Sequence, residues 1–361
     1  MPSPSAIARA LDGVLAELAA TERPLDIERD RLVIFSDHHK GQRDGADDFA
    51  ICEPAYLAAL DSYLADGFAL IVLGDAEELW ENRVEPVLEA YANVLAAERR
   101  FQPDRYTRVW GNHDDEWEAP RRVDKHLPAL LGPIRVVEGL RFAVTSKGER
   151  LGTLLMVHGH QGTLLSDRLA GVSKLVVRFL WRTVQRLTRK GSTTPATDAC
   201  LRAEHDRTLY AWAGDQPSFV LIAGHTHRPV FSSKTHLQQI REEQRALQRM
   251  EDVAADLRRQ ARLAELRELE AKIQQQDEAC ASISEDDVDR SRPCYFNTGC
   301  CSFADSDITG IELVDGEIRL VKWETKHGGP ARRAVLARAA VRSVYEALND
   351  SADQGPRPTE S

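Results

Sequence analysis

Residues 70–78 read LIVLGDAEE: four apolar residues, then a glycine and three acids broken by one alanine. A short run of this kind suits a strand buried on both faces, and the Gly74-Asp75 that ends it suits a turn presenting a carboxylate where the chain leaves the sheet. The form recurs four times, as LVIFSDHH (32–39), RVWGNHD (108–114), LLMVHGH (154–160) and FVLIAGHTH (219–227). Between the first three runs lie helical patterns, roughly Ala50 to Ala65 and Val84 to Arg100, so the chain opens β-α-β-α-β. Later segments are more strand-like: RFAVTS from Arg141, CYFNTG from Cys294, and ITGIELVDGEIRLVKWE (308–324), a hairpin whose Asp315-Gly316 turn suits type I′ geometry. The expected fold class is α/β with two mixed sheets.

Composition agrees with an ordinary globular chain able to bury a core. Of 361 residues, 42% are hydrophobic and 29% charged, which excludes wholesale disorder. The net charge of −10 argues against broad wrapping of long nucleic acid. Six cysteines are scattered without a C-x-x-C pair, so neither a disulfide framework nor a zinc ribbon is indicated and reduced thiols are expected. Residues 1–30 read as an N-terminal amphipathic helix without the basic and apolar regions of a secretory signal, and no run of about 18 apolar residues occurs; a cytoplasmic location is expected, at most peripheral to a membrane.

Residues 31–330 form the expected main domain, interrupted twice. The first interruption, 163–212, is a basic helical cap: residues 168–190 contain seven basic residues and no acid, with Lys174, Arg178, Arg182 and Arg186 recurring at i+4 as one stripe. The second, 234–290, has no Gly or Pro between 234 and 284, and its charges balance between Arg241 and Gln274; it reads as one long helix or a helical hairpin, an interaction arm suited to homodimerisation. Residues 331–361 read as a C-terminal helix and a disordered tail.

The chemistry sits where the five apolar runs end. They deliver Asp37 and His39; Asp75 with Glu78; Asn112, His113 and Asp114; His158 and His160; and His225 and His227. In open α/β sheets ligands bind outside the carboxyl ends of strands, so groups spread over nearly two hundred positions can converge. Mixed oxygen and nitrogen donors suit Mn, Fe, Zn or Co better than an oxygen-only magnesium cage, and a dinuclear centre is the economical reading. His38 reads as a bystander, Glu78 as a supporting carboxylate, and His126, His205, His236 and His327, which lie outside the motifs, as structural.

In order, these motifs (D-x-H, G-D-x-x-E, G-N-H-D, a later H, G-H-x-H) resemble those of the calcineurin-like metallophosphoesterase superfamily over roughly Leu32 to His227, with Asn297-Thr298-Gly299 similar to a frequent closing turn. The resemblance implies a two-sheet αββα sandwich carrying two helical insertions, and two divalent metal ions, with manganese foremost. Asp37, His39 and His227 would hold one ion, Asn112, His158 and His225 the other, and Asp75 would bridge them. It further implies hydrolysis of a phosphomonoester, phosphodiester or pyrophosphate bond by a hydroxide bridging the two ions. His113 would be the non-ligand acid, following Asn112 directly, and Asp114 would orient it.

Within the superfamily the pattern is nearest the UDP-2,3-diacylglucosamine pyrophosphatase type, through Ser36 to His39, Gly74 to Glu78, His158-Gly159, Gly224 to Pro229 and the helical insertion between the last two. It departs in His113, where that type commonly has Arg, in His160, and in the second insertion. The expected partner is thus a phosphorylated small molecule or lipid, nucleotide-linked or lipid-linked, with His160, Arg228, Lys174, Arg178 and Arg182 as substrate contacts. The basic helix, 168–190, suits an anionic membrane surface as well as an amphiphilic phosphorylated substrate. Two alternatives stand beside this reading: a nuclease or cyclic-nucleotide phosphodiesterase, and a weakly catalytic scaffold acting through its helical arm.

Overall fold

A computed structural model describes residues 4–162, 199–235 and 292–353 apart from 304 and 326–328, together with isolated positions between 241 and 270. The first helix, α1 (Pro4–Glu17), buries Ile7, Leu11 and Val14 at helical spacing. There follow β1 (Arg23–Asp26), β2 (Leu32–Phe35), α2 (Glu53–Ala65), β3 (Ala69–Leu73), α3 (Val84–Ala90), α4 (Ala92–Arg99), β4 (Tyr106–Val109), α5 (Pro120–His126), α6 (Pro128–Leu131), β5 (Val136–Val137), β6 (Gly139–Ser146) and β7 (Glu149–Val157). The chain is next described at α7 (Ala199–Gly214), then β8 (Phe219–Ala223), β9 (Val230–Phe231), β10 (Lys234–Thr235), β11 (Tyr295–Asn297), β12 (Ile308–Val314), β13 (Glu317–Glu324), β14 (Arg332–Ala340) and α8 (Val341–Asp353).

These strands form two seven-stranded sheets, ordered β14-β13-β12-β2-β3-β4-β5 and β1-β6-β7-β8-β11-β9-β10. In the first, β2 to β5 run parallel; in the second, β7, β8 and β11 do. Side chains alternate across each strand, which explains why the runs are apolar throughout. Ile34, Ile71 and Leu73 enter the core between the sheets, meeting Leu155, Leu221 and Ile222. Val33, Phe35, Leu70 and Val72 face the other way, against Tyr56 and Tyr63 of α2 and Leu88, Val94 and Leu95 of α3 and α4. On the second sheet α7 packs over β8 and β11 and against α1, where the Trp212 indole donates to Asp12 at 2.8 Å. The result is an αββα sandwich of mixed sheets, as expected.

Several local expectations change. Residues 1–30 hold a strand as well as a helix, since β1 pairs in parallel with β6. The helical pattern from Val84 to Arg100 divides at Tyr91, which leaves helical geometry to bury its ring against Phe49 and donate its hydroxyl to Asp47 at 2.8 Å. The segment from residue 331 begins with β14, a nine-residue edge strand, before α8. Its sequence, RRAVLARAA, is rich in Ala and Arg, and neither marks a strand. The 308–324 hairpin turns at Asp315 (φ 53°) and Gly316 (φ 78°), the two positive φ values that a type I′ turn needs.

The basic stripe of Lys174, Arg178, Arg182 and Arg186, with His236 and His327, lies outside the described residues; of the tail expected to be disordered from Ser351, residues 351–353 instead end α8, and the rest also lies outside them. Within the second insertion, Arg241 Nε lies 2.9 Å from Glu270 Oε1 and Gln244 donates to the same carboxylate at 3.0 Å. One continuous helix would separate positions 241 and 270 by about 43 Å at 1.5 Å per residue, so the chain doubles back. Cys52, Cys294, Cys300 and Cys301 are buried and unbridged, and no described helix is long and apolar enough to cross a membrane.

Candidate metal centre

Parallel pairing places the ends of β2, β3 and β4 side by side, and the pairing continues into the loops. The amides of Asp37, His39 and Lys40 donate to the carbonyls of Gly74, Asp75 and Ala76 at 3.1, 2.9 and 3.1 Å. In the second sheet Gly224 N donates to His158 O at 2.9 Å, joining the ends of β8 and β7, and across the sandwich His225 N reaches both Asp37 oxygens at 3.1 and 3.0 Å. Five strand ends from two sheets thereby meet at one point.

The ligating atoms of Asp37, His39 and His227 all lie within 4.8 Å of one another, and so do those of Asp75, His158 and His225. Asp75 Oδ2 stands between the two groups, 3.1 Å from His158 Nε2 and 3.8 Å from His39 Nε2. His39, Asp75 and His113 form a third overlapping group. Two close approaches admit no side-chain bulk: an added Cβ on Gly111 would lie 2.2 Å from Asp75 Oδ1, and one on Gly74 (φ 87°) would lie 2.6 Å from the His158 ring.

Three observations show that these residues fit metal ions. First, the tautomers point lone pairs at one another. His158 Nδ1 donates to Leu73 O at 3.0 Å, leaving Nε2 as an acceptor 3.1 Å from a carboxylate oxygen. His39 Nδ1 is bonded to Glu78 Oε2 at 3.0 Å, leaving its Nε2 3.1 Å from His227 Nε2, which is itself 3.2 Å from Asp37 Oδ1. Buried acceptors that face acceptors require a proton or a cation between them. Second, Asn112 Oδ1 is buried with no hydrogen-bond partner. Third, Asp37, His39, Asp75, His225 and His227 all have positive φ, between 49° and 69°. That left-handed conformation is unfavourable for non-glycine residues, and its concentration in one set of side chains marks a functional constraint.

Electrostatics tell the same story. Burial disfavours a charged imidazole, yet the bond to Glu78 and the charges of Asp75 and Asp37 raise His39 to about 10, and Asp75 and Asp37 raise His158 to about 9. Burial alone would raise the Asp75 carboxyl; His158, His113 and His39 hold it well below its ordinary value. The carboxylates thus demand positive charge, which protons supply when no metal does.

His113 lies beside this centre. Its Nδ1 is 2.7 Å from Glu78 Oε2, and its ring stacks on Trp80 with centroids 4.3 Å apart and planes at 21°. Glu78 thus holds both His39 and His113 through one oxygen. Asp114, expected to orient His113, does something else: its oxygens accept the amides of Gly111 at 2.6 Å and Ala76 at 2.8 Å, tying the β4 loop to the β3 loop. An acceptor of two backbone N–H groups is committed to the loops, which is why the orienting role falls to Glu78.

Among the expected substrate contacts, His160 is buried against Trp110 (4.9 Å) and His158 (5.4 Å), with Nδ1 unpartnered; burial and the neighbouring His158 lower it to about 3, so it is neutral. Arg228 places Nη1 3.8 Å from Asp206 and is 12% exposed. His205, read as structural, comes to the centre: its ring is 5.0 Å from His225 and its Nε2 donates to Gly159 O at 2.6 Å. Nothing in the spacing around His205 reveals this, because the placement arises from the packing of α7. His38 is fully buried, edge-on to Tyr56 at 4.6 Å, and His126 sits 6.3 Å from Trp117, both away from the ligand groups.

No family model matches the chain, and no curated protein does. Among solved structures it is similar to Vacuolar Protein Sorting 29 from Cryptosporidium parvum, at 12% identity and a TM-score of 0.31, covering 86% of this chain and 98% of that one. The narrower likeness to UDP-2,3-diacylglucosamine pyrophosphatases is not supported by these findings.

Proposed function

We propose that the chain is a calcineurin-like metallophosphoesterase that hydrolyses a phosphomonoester, phosphodiester or pyrophosphate bond. The observation that carries this reading is the pair of buried Asp/His groups meeting at Asp75, with lone pairs opposed and His113 held alongside. When bound, two divalent ions, proposed as manganese, would supply Lewis acidity toward the phosphate oxygens and lower the pKa of a bound water. Asp37, His39 and His227 would hold one ion and Asn112, His158 and His225 the other, with Asp75 shared.

The remaining work falls to the chain itself. Glu78 accepts from Nδ1 of His113, which fixes the tautomer and leaves Nε2 to hold the proton that a leaving oxygen needs. Trp80 limits rotation of that ring by stacking on it. The insertion bearing Lys174, Arg178 and Arg182 leaves the chain just after His160 and returns through α7, which carries His205. Its attachment to the centre supports a role for those basic residues against the phosphorylated substrate.

Manganese-loaded protein is expected to hydrolyse a generic aryl phosphodiester, and chelation with EDTA to abolish this. His113→Asn keeps a donor for Glu78 but loses Nε2, so kcat should fall about a hundredfold at unchanged metal content. A metal-loaded parent chain inert across aryl monoesters, aryl diesters, UDP-sugars, lipid phosphates and cyclic nucleotides would overturn the reading.

A further inference from the structure

Behind the metal centre lies a second polar cluster that takes no direct part in holding an ion. Lys40 Nζ is 3.0 Å from Glu98 Oε1 and 3.5 Å from Glu77 Oε1. Arg108 Nη2 lies 2.8 and 2.7 Å from the two oxygens of Glu77, which also accepts from Trp117 Nε1 at 2.9 Å. Glu98 accepts from Tyr106 at 2.6 Å and Tyr56 at 3.2 Å. All four charged residues are at most 1% exposed.

Packing stability does not account for this cluster. Burying two acids and two bases is often no better than burying apolar groups of the same volume, and Arg108 Nη1 is left buried without a partner. What the cluster does have is position. Lys40 follows the ligand His39, Glu77 lies between Asp75 and Glu78, and Arg108 is on β4, four residues before Asn112. Lys40 and Glu77 form an isolated parallel bridge, and Glu78 N donates to Lys40 O at 3.0 Å. Lys40 and Glu77 thus sit on two ligand-bearing loops and Arg108 on the strand that leads into a third, while Glu98 holds Lys40 from α4 behind them; a buried ion pair has one good geometry where an apolar contact has many.

We infer that Lys40, Glu77, Glu98 and Arg108 are positioning residues whose charge pairing fixes the spacing of the β2, β3 and β4 loops and hence the affinity of the Asp75-centred groups for divalent ions. This rests on the proposed metal-dependent function. Any ion bound at His39 or Asp75 requires the loops at one separation, and the quartet sets that separation before an ion arrives.

The test separates this from a merely structural role. The charge-balanced double variant Lys40→Met with Glu98→Gln removes one acid and one base at similar volume. EDTA-stripped full-length chain is titrated with Mn2+ by calorimetry, and thermal melting is followed in parallel. The expected result is a melting temperature near the parent's with Mn2+ binding about tenfold weaker. A variant that melts like the parent and binds Mn2+ with the parent's affinity and stoichiometry would overturn the inference. Should the double variant not fold, Tyr106→Phe, which keeps every charge, carries the test: Mn2+ affinity reduced about threefold supports the inference, and unchanged affinity overturns it. Absence of Mn2+ binding by the parent would overturn the proposed function and the quartet's role together. Binding by the parent with unchanged variants overturns the quartet's role alone.

Discussion

Asp75 groups with His158 and His225 and, in an overlapping set, with His39 and His113, so its charge is the one whose loss both sides of the centre must feel. Replacing it by Asn keeps the shape and removes the charge that would offset the two proposed cations. Asp75→Asn should therefore lose both ions rather than one, which metal analysis by mass spectrometry after gel filtration checks directly. The raised values of His39 (about 10) and His158 (about 9) make a second prediction. At pH 7 both imidazoles are protonated in the metal-free chain, and a metal must displace those protons to use their nitrogens. Apparent affinity should thus rise from pH 6 through 9 and level off near 10, with about two protons released per loaded chain at pH 7. Calorimetry in buffers of different ionisation enthalpy measures that release; none would contradict the assignment of these nitrogens as ligands. Most of this set was legible because each residue ends an apolar run. The partner of His113 was harder to read, since Asp114 is its neighbour in sequence while Glu78 lies on another loop, and only the folded loops decide which one reaches the ring.

At the scale of elements, the strand ends work because backbone approaches backbone without side chains between. Gly111 is where the β4 loop crosses Asp75, and a methyl group there would overlap the carboxylate. Gly111→Ala should displace the Asp75 carboxylate, lower stability by about 1–3 kcal/mol and weaken metal binding by more than its stability loss alone explains. Denaturant unfolding of metal-free chain, set beside metal titration, separates the two effects. The same elements show what sequence patterning conveys. Runs such as Leu32–Phe35 and Ala69–Leu73 are apolar on both faces, and no competing structure explains them as well. Strand β1, with Arg23 and Pro24 exposed, and β14, half-exposed at a sheet edge, have no such pattern, so only their hydrogen-bonded neighbours reveal them. His205 was invisible for a related reason: its role depends on where α7 docks.

In the whole molecule the sandwich is continuous while the insertions hang from it at defined points. Where the second insertion leaves and returns, Ser233 Oγ donates to Arg292 O at 2.6 Å and Ser233 N donates to Tyr295 O at 2.7 Å, so its two ends are adjacent. Beyond that clasp, Arg241 and Glu270 pair with each other. Contacts that stay within an insertion contribute little to the sheets beneath it. Replacing residues 236–291 with a short Gly-Ser turn should therefore leave the thermal melt within a few degrees of the parent's and Mn2+ binding unchanged, because the clasp, β9, β10 and β11 all remain. We propose that the arm mediates self-association, in which case the shortened chain sediments as a lighter species than mass loss alone produces. Velocity sedimentation at several concentrations reads this directly. An unchanged association state would remove dimerisation from the arm, and a lost Mn2+ site would show that the arm reaches the centre.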